Sequence, residues 1–129
     1  MRLLLDTHCA IWAVYDRAQF GAKTRDLIES ADTVPVFSAI SIAEIAIKRA
    51  LNRPDFPFEP NEIRDALLSA DYMEMPFLGM QAVRLWSLPP IHRDPFDRML
   101  VAQAMSEGMT LLTADAILHR YPVDTLSVS

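Results

Sequence analysis

Four acidic residues stand where a chain could concentrate negative charge: Asp6 in Leu3-Leu4-Leu5-Asp6-Thr7-His8, Glu44 in Ser41-Ile42-Ala43-Glu44, Asp97 in Asp94-Pro95-Phe96-Asp97, and Asp115 in Thr113-Ala114-Asp115. Each has an ordinary structural explanation. Asp6 closes an apolar run and opens a helical pattern, as a helix N-cap does. Ser41 to Glu44 reads as a capping box, with Lys48 one turn further on in the orientation that favours a helix ion pair. Asp94 reads as an N-cap followed by proline at the first helical position, and Asp97 as the acid at the third. Asp115 precedes a short helical stretch, where the helix dipole favours an acid. Taken together, the four imply a different chemistry. Two carboxylates ~4 Å apart repel by about 4 kcal/mol at an effective dielectric near 20, so a half-buried cluster persists only with protons or cations in it. Hard divalent cations with oxygen ligands, Mg2+ or Mn2+, match such a set.

The elements that carry the acids bring them to one place. Short apolar runs at 2–6, 34–38, 72–76, 110–113 and 123–128 read as strands. Helical patterns near 7–15, 22–31, 41–52, 61–70, 78–86 and 94–107, with a short one after Asp115, lie between them. Strands separated by helices require crossovers and hence a parallel sheet covered on both faces. The expected fold class is therefore α/β, a three-layer α/β/α sandwich with a five-stranded parallel sheet. In such a sheet all strand C-termini share an edge, the place where open α/β sheets bind ligands. Asp6 and Asp115 follow two strands, and Glu44 is expected in the first turn of the helix after a third. The helix at 94–107 runs directly into a strand, so its N-terminus returns to the same edge. Asp97 shares the inward stripe of that helix with Leu100, Val101 and Ala104. The helix around Glu44 reads as apolar almost all round and mostly buried.

Composition narrows the setting. The chain has 129 residues, 51% of them hydrophobic and 22% charged, which suits one domain over 1–129 with a real core and argues against disorder. No apolar run is long enough to span a bilayer, and the N-terminus lacks the features of a signal peptide, so a cytoplasmic location is expected. Cys9, the one cysteine, excludes an intramolecular disulfide and a multi-cysteine zinc site; it reads as a small core residue, and the scattered methionines read as core filler. A formal charge of -5, with 12 basic against 17 acidic residues, leaves no basic footprint for nucleic acid. Two divalent ions would bring that charge to about -1.

The stretches LLLDTH at 3–8, FSAISIAEIAIK at 37–48, HRDPFDRMLVAQA at 92–104 and LLTADAIL at 111–118 together resemble the PIN-domain ribonucleases, specifically the toxin component of VapBC-type toxin–antitoxin pairs. The resemblance spans nearly the whole chain in the family's order. It implies a five-stranded parallel sheet, an acidic divalent-metal site and endonucleolytic cleavage of RNA. The family's acidic set falls on Asp6, Glu44, Asp97 and Asp115, and Thr113 matches its hydroxyl residue two before the last acid. Of the two acids in DPFD, the inward stripe favours Asp97 as ligand and leaves Asp94 as the cap. The implied mechanism is metal-assisted phosphodiester hydrolysis, with Asp6 and Asp97 as the strong ligands and Asp115 and Glu44 holding a second ion or orienting its waters. The resemblance further implies a cognate antitoxin as partner, in a homodimer or an antitoxin-bound hetero-oligomer, with no membrane involvement.

The remaining polar residues near these motifs have two readings each. His8 either positions the first helix or touches substrate. His92 and Arg93 lie in the loop before the Asp97 helix, where they could meet phosphate. Arg98 reads as a structural ion pair or a phosphate clamp, and Lys48 as a partner of Glu44. Trp12, Tyr15 and Phe20 could face a partner. A receiver-type phosphorylation switch is excluded because the third strand ends in Met75-Pro76 and lysine occurs only at 23 and 48. A haloacid-dehalogenase-like phosphatase is excluded because Asp6-Thr7-His8 lacks the second acid. The standing alternative is a PIN-like module that binds RNA or protein without cleaving.

Overall fold

A computed structural model describes residues 1–129. The run Arg2–Leu5 forms β1, and its side chains alternate between faces as strand geometry requires. Leu4 joins one apolar cluster with Val36, Leu100, Val101, Ala104 and Leu111. Leu3 and Leu5 join another on the opposite face with Cys9, Phe20 and Leu112. β2 (Val34–Ser38) alternates likewise, with Val36 on the first face and Phe37 packed among Ala10, Ile11, Ile45, Ile63 and Leu67 on the second. Strands apolar on both sides must be covered on both sides. Accordingly α1 (Thr7–Tyr15), α2 (Ala22–Glu29) and α4 (Pro60–Ser69) lie over one face, and α5 (Gly79–Val83) with α6 (Pro95–Glu107) over the other. α3 (Ala39–Ala50) contributes Ile40 to one cluster and Ile45 to the other.

With β3 (Met73–Met75), β4 (Thr110–Leu112) and β5 (Thr125–Leu126), the strands make one sheet in the order β3-β2-β1-β4-β5 with every pairing parallel. The fold is therefore the expected α/β three-layer sandwich. The chain winds outward from β1 through β2 to β3, then crosses back to β4, so the topological switch lies between β1 and β4. Their register pairs Leu5 with Leu112, which sets Asp6 beside Thr113 one step on. α6 closes on Gly108, whose left-handed φ of 63° turns the chain into β4 and lets Met109 N–H reach the Ala104 carbonyl at 2.9 Å. No helix is long and apolar enough to cross a membrane.

Several local expectations change. The helix carrying Glu44 starts two residues earlier than its spacing suggests, because Ser38 is the N-cap and accepts from Ile40 N–H at 3.0 Å. Ser41 thus lies inside the helix, where its buried hydroxyl accepts from Thr7 Oγ1 at 3.0 Å, and there is no capping box with Glu44. Glu44 consequently stands in the second turn, not the first. That helix is buried on one side only, with Ile47 and Leu51 more than half exposed. The stretch 78–86 breaks into α5 and a 3-10 turn over Arg84–Ser87, and the last strand shrinks to two residues.

Candidate metal centre

Asp6 is held by the start of α1 and by the neighbouring strand. Its Oδ1 accepts from Cys9 N–H at 2.9 Å, the N-cap bond, while Oδ2 accepts from the fully buried Thr113 hydroxyl at 2.5 Å. The same hydroxyl oxygen accepts from Asp115 N–H at 3.0 Å. Thr113 thus ties the acid after β1 to the acid after β4, the arrangement the strand register dictates. Glu44 is 3% exposed, and helix geometry tilts its side chain back toward the N-terminus of α3 and the strand ends. Its Oε2 accepts from Lys48 Nζ at 2.5 Å. Its Oε1 is buried and has no partner, an arrangement that costs about 1–3 kcal/mol for a neutral group and more for a charged one.

Asp97 stands on the inward stripe of α6, and Leu100, Val101 and Ala104 beside it are completely buried. Burial, then the charges of Asp94, Asp6 and Glu44, push its carboxyl up to about 7, against a smaller opposing pull from His92. Asp94 fills the N-cap as expected, its Oδ1 accepting from Phe96 N–H at 2.8 Å and Asp97 N–H at 3.2 Å. Asp115 is the N-cap of the 3-10 turn Ala116–Arg120 and accepts from Ile117 N–H at 2.9 Å. Burial raises its carboxyl, but the hydrogen bonds from His92 and Ile117 and the charges of His92 and His8 outweigh this and hold it below the usual range.

His92 is the residue whose place sequence reasoning underrated. Its Nδ1 accepts from Asp94 N–H at 3.0 Å, so the neutral ring carries its proton on Nε2. Nε2 lies 2.8 Å from Asp115 Oδ2 and 3.3 Å from Asp97 Oδ2. One ligand atom each from His92, Asp97 and Asp115 falls within 4.8 Å of the others. Asp6 and Glu44 lie outside that tight group but close enough for their charges to raise Asp97. Tyr121 was missed altogether; its phenolic oxygen accepts from His92 N–H at 2.7 Å and from Arg98 at 3.3 Å. Nothing in the sequence marks it, since a tyrosine before a proline reads as core.

The secondary candidates divide. Lys48 pairs with Glu44 as expected. His8 is exposed and stacks on Trp12 with ring centres 6.0 Å apart. Arg93 is exposed and makes no ion pair. Arg98 makes no ion pair with an acid: its guanidinium donates to the Pro89 carbonyl at 3.0 Å and to Tyr121 at 3.3 Å, because the 88–91 loop brings carbonyls within its reach. Phe20 is 3% exposed and packs in the core, so it faces no partner. A cavity of about 460 Å3 at the opposite edge of the sheet holds two acids, Glu29 and Asp71, and Glu29 is neutralised by Arg17 at 2.6 Å.

The donor set fits a hard divalent cation. It is rich in carboxylate oxygens, one of them orphaned on Glu44, and one carboxyl is pressed toward neutrality by its neighbours. Asp6, Glu44, Asp97 and Asp115 could hold such an ion, with His92 able either to ligate or to orient the two acids it touches.

The fold has counterparts among solved structures. VapBC2 from Rickettsia felis bound to a DNA fragment from the promoter is similar over 100% of both chains, with TM-score 0.75 and 14% identity. DNA-bound VapBC from Salmonella typhimurium is similar over 100% of this chain and 99% of that one, with TM-score 0.68 and 15% identity. VapBC-1 from nontypeable Haemophilus influenzae is similar over 98% of each chain, with TM-score 0.67 and 18% identity. No curated protein matches the sequence. The model of the PIN domain matches residues 3–124, a span that takes in most of β1, the whole of β2 to β4 and all four acids at the sheet edge, and the chain belongs to the PIN-domain family.

Proposed function

We propose that this protein is a metal-dependent endoribonuclease that acts as the toxin of a toxin–antitoxin pair. The observation that carries the proposal is the crowding of acids at the β1/β4 switch, which leaves Glu44 Oε1 unpartnered and raises Asp97 to about 7. Asp6, Asp97, Asp115 and Glu44 are the residues we assign to Mg2+ or Mn2+. When bound, such an ion lowers the pKa of a water and neutralises charge developing on phosphate oxygens. The chain's own side chains do the rest. Thr113 fixes the rotamer of Asp6 while its oxygen anchors the Asp115 backbone. Lys48 engages one oxygen of Glu44 and leaves the other free. Asp94 caps α6 and, by donating its N–H to His92, keeps the histidine proton directed at Asp97 and Asp115. Arg93, exposed at the rim, is available to a phosphate.

Support for an antitoxin partner comes from the full-length likeness to VapBC complexes. An acidic crevice invites an arginine from such a partner, whose planar guanidinium binds carboxylates through paired hydrogen bonds. The test of the enzymatic reading is cleavage of single-stranded RNA with Mg2+ or Mn2+, abolished by a chelator.

A further inference from the structure

Along α1, His8, Ile11, Trp12 and Tyr15 follow the i, i+3, i+4, i+7 spacing of one helix face. That face forms one side of a groove of about 380 Å3, and the connector carrying Arg53, Phe56 and Phe58 forms the other. The groove starts at the acids. His8 follows Asp6 by two residues, and Lys48, which lines the groove, holds Glu44 at 2.5 Å. It runs roughly 10 Å along α1 to Tyr15. Its walls are ring faces. His8 lies over Trp12 with planes 29° apart, Tyr15 meets Phe58 at 5.5 Å, and Phe56 stands edge-on to Phe58 at 5.1 Å. Tyr15 is half exposed.

We propose that this groove is a nucleobase subsite, in which one unpaired base beside the scissile phosphate stacks against Trp12. The proposal rests on the ribonuclease reading and specifies how substrate is gripped. A chain of net charge -5 has little long-range attraction for a polyanion. Binding must then come from contacts indifferent to net charge, and stacking of bases on aromatic rings is the available one. Lys48 and Arg53 share the groove lining with Asp16 and Asp55, Arg53 lying 3.9 Å from Asp55 and Lys48 2.5 Å from Glu44, so its charges balance and the ring faces are left to supply the grip. Stacking requires a base free of its own duplex, so the substrate class is single-stranded or looped RNA.

The test uses the full chain carrying Trp86→Phe, a change at a 94% exposed position that leaves Trp12 as the only tryptophan. Single-stranded oligoribonucleotide without divalent metal is expected to quench Trp12 fluorescence. With metal, Trp12→Ala is expected to raise KM for RNA cleavage about 5- to 100-fold, the range seen for removal of one stacking ring. Trp12→Phe restores most of it, and Tyr15→Ala, at a surface position, raises KM more modestly. An abasic nucleotide beside the cleavage site raises KM for the wild type by a similar factor, yet adds nothing to Trp12→Ala. Cleavage with unchanged KM in both Trp12→Ala and Tyr15→Ala overturns the subsite, as does an abasic penalty that persists in full in Trp12→Ala. A groove that serves only a protein partner gives that same unchanged KM. Quenching of Trp12 without any cleavage keeps the subsite and removes the nuclease reading instead.

Discussion

Replacing Asp97 by asparagine removes the charge that its neighbours oppose while keeping the side-chain shape. The native carboxyl titrates at about 7 against an ordinary 3.8. Between those values the folded chain binds the proton that the unfolded chain has lost, so stability falls as pH rises through about 4 to 7. About three pH units correspond to a ceiling of about 4 kcal/mol at 1.36 kcal/mol per unit. The asparagine amide also disturbs the 3.3 Å approach of His92, so the expected net gain for the metal-free protein at pH 8 is about 1–3 kcal/mol. That corresponds to a rise in thermal midpoint of roughly 3–10 °C for a chain of this size. The advantage shrinks as pH falls below 7 and is lost near 4. Mn2+ should reverse the order, because an ion at a hundred times its Kd adds about 2.7 kcal/mol to the wild type, whereas Asp97→Asn has lost a ligand. Scanning calorimetry of both proteins at pH 4, 6 and 8, with and without Mn2+, reads all of this. No gain at pH 8 refutes the crowding of charge around Asp97, and a full Mn2+ increment in the variant refutes its role as a ligand.

Three further outcomes follow from the same geometry. Thr113→Val, at a fully buried position, strands an oxygen of buried Asp6 and the half-buried Asp115 N–H; urea denaturation should show a loss of about 1–3 kcal/mol, together with weaker Mn2+ binding by calorimetry. Burial, followed by the charge of Asp6, pushes the Cys9 thiol far above its ordinary range, so a thiol reagent should label it only at the rate of unfolding, and fast labelling of the native protein would contradict that placement. If an antitoxin inserts an arginine among Asp6, Glu44 and Asp97, Mn2+ titrated into the purified complex should bind far more weakly than to the free chain; equal affinity would mean inhibition by blocking RNA entry alone.

Much of the fold could be read from short apolar runs alternating with helical patterns, because a strand buried on both faces and an amphipathic helix leave different periodicities. The expected topology alone puts Asp6, Glu44, Asp97 and Asp115 on one edge, since every strand end of a parallel sheet faces the same way. Errors arose where two local solutions compete. Ser38 and Ser41 both suit a helix N-cap, and the structure uses Ser38 because Thr7 takes the hydroxyl of Ser41. Arg98 looked like an ion-pair partner because charge suggests charge, whereas the carbonyls of Leu88 and Pro89 are nearer. The methionines read as filler, yet Met80 is 75% exposed and only Met75 and Met109 are buried. His92 and Tyr121 meet through loops far apart in the chain, a contact no periodicity encodes.

The central claim is that the acids at the β1/β4 switch cut RNA with a divalent ion, and one cleavage assay tests it most directly. A labelled single-stranded RNA is incubated with the wild type in Mg2+ or Mn2+, with and without excess EDTA, and with Asp6→Asn, which keeps an oxygen for the Cys9 N–H cap. Internal cleavage by the wild type, its loss in EDTA and a fall of orders of magnitude in a normally folded Asp6→Asn are the expected results. Undiminished cleavage in EDTA, wild-type activity in Asp6→Asn, or no cleavage of any RNA by metal-loaded protein would contradict it.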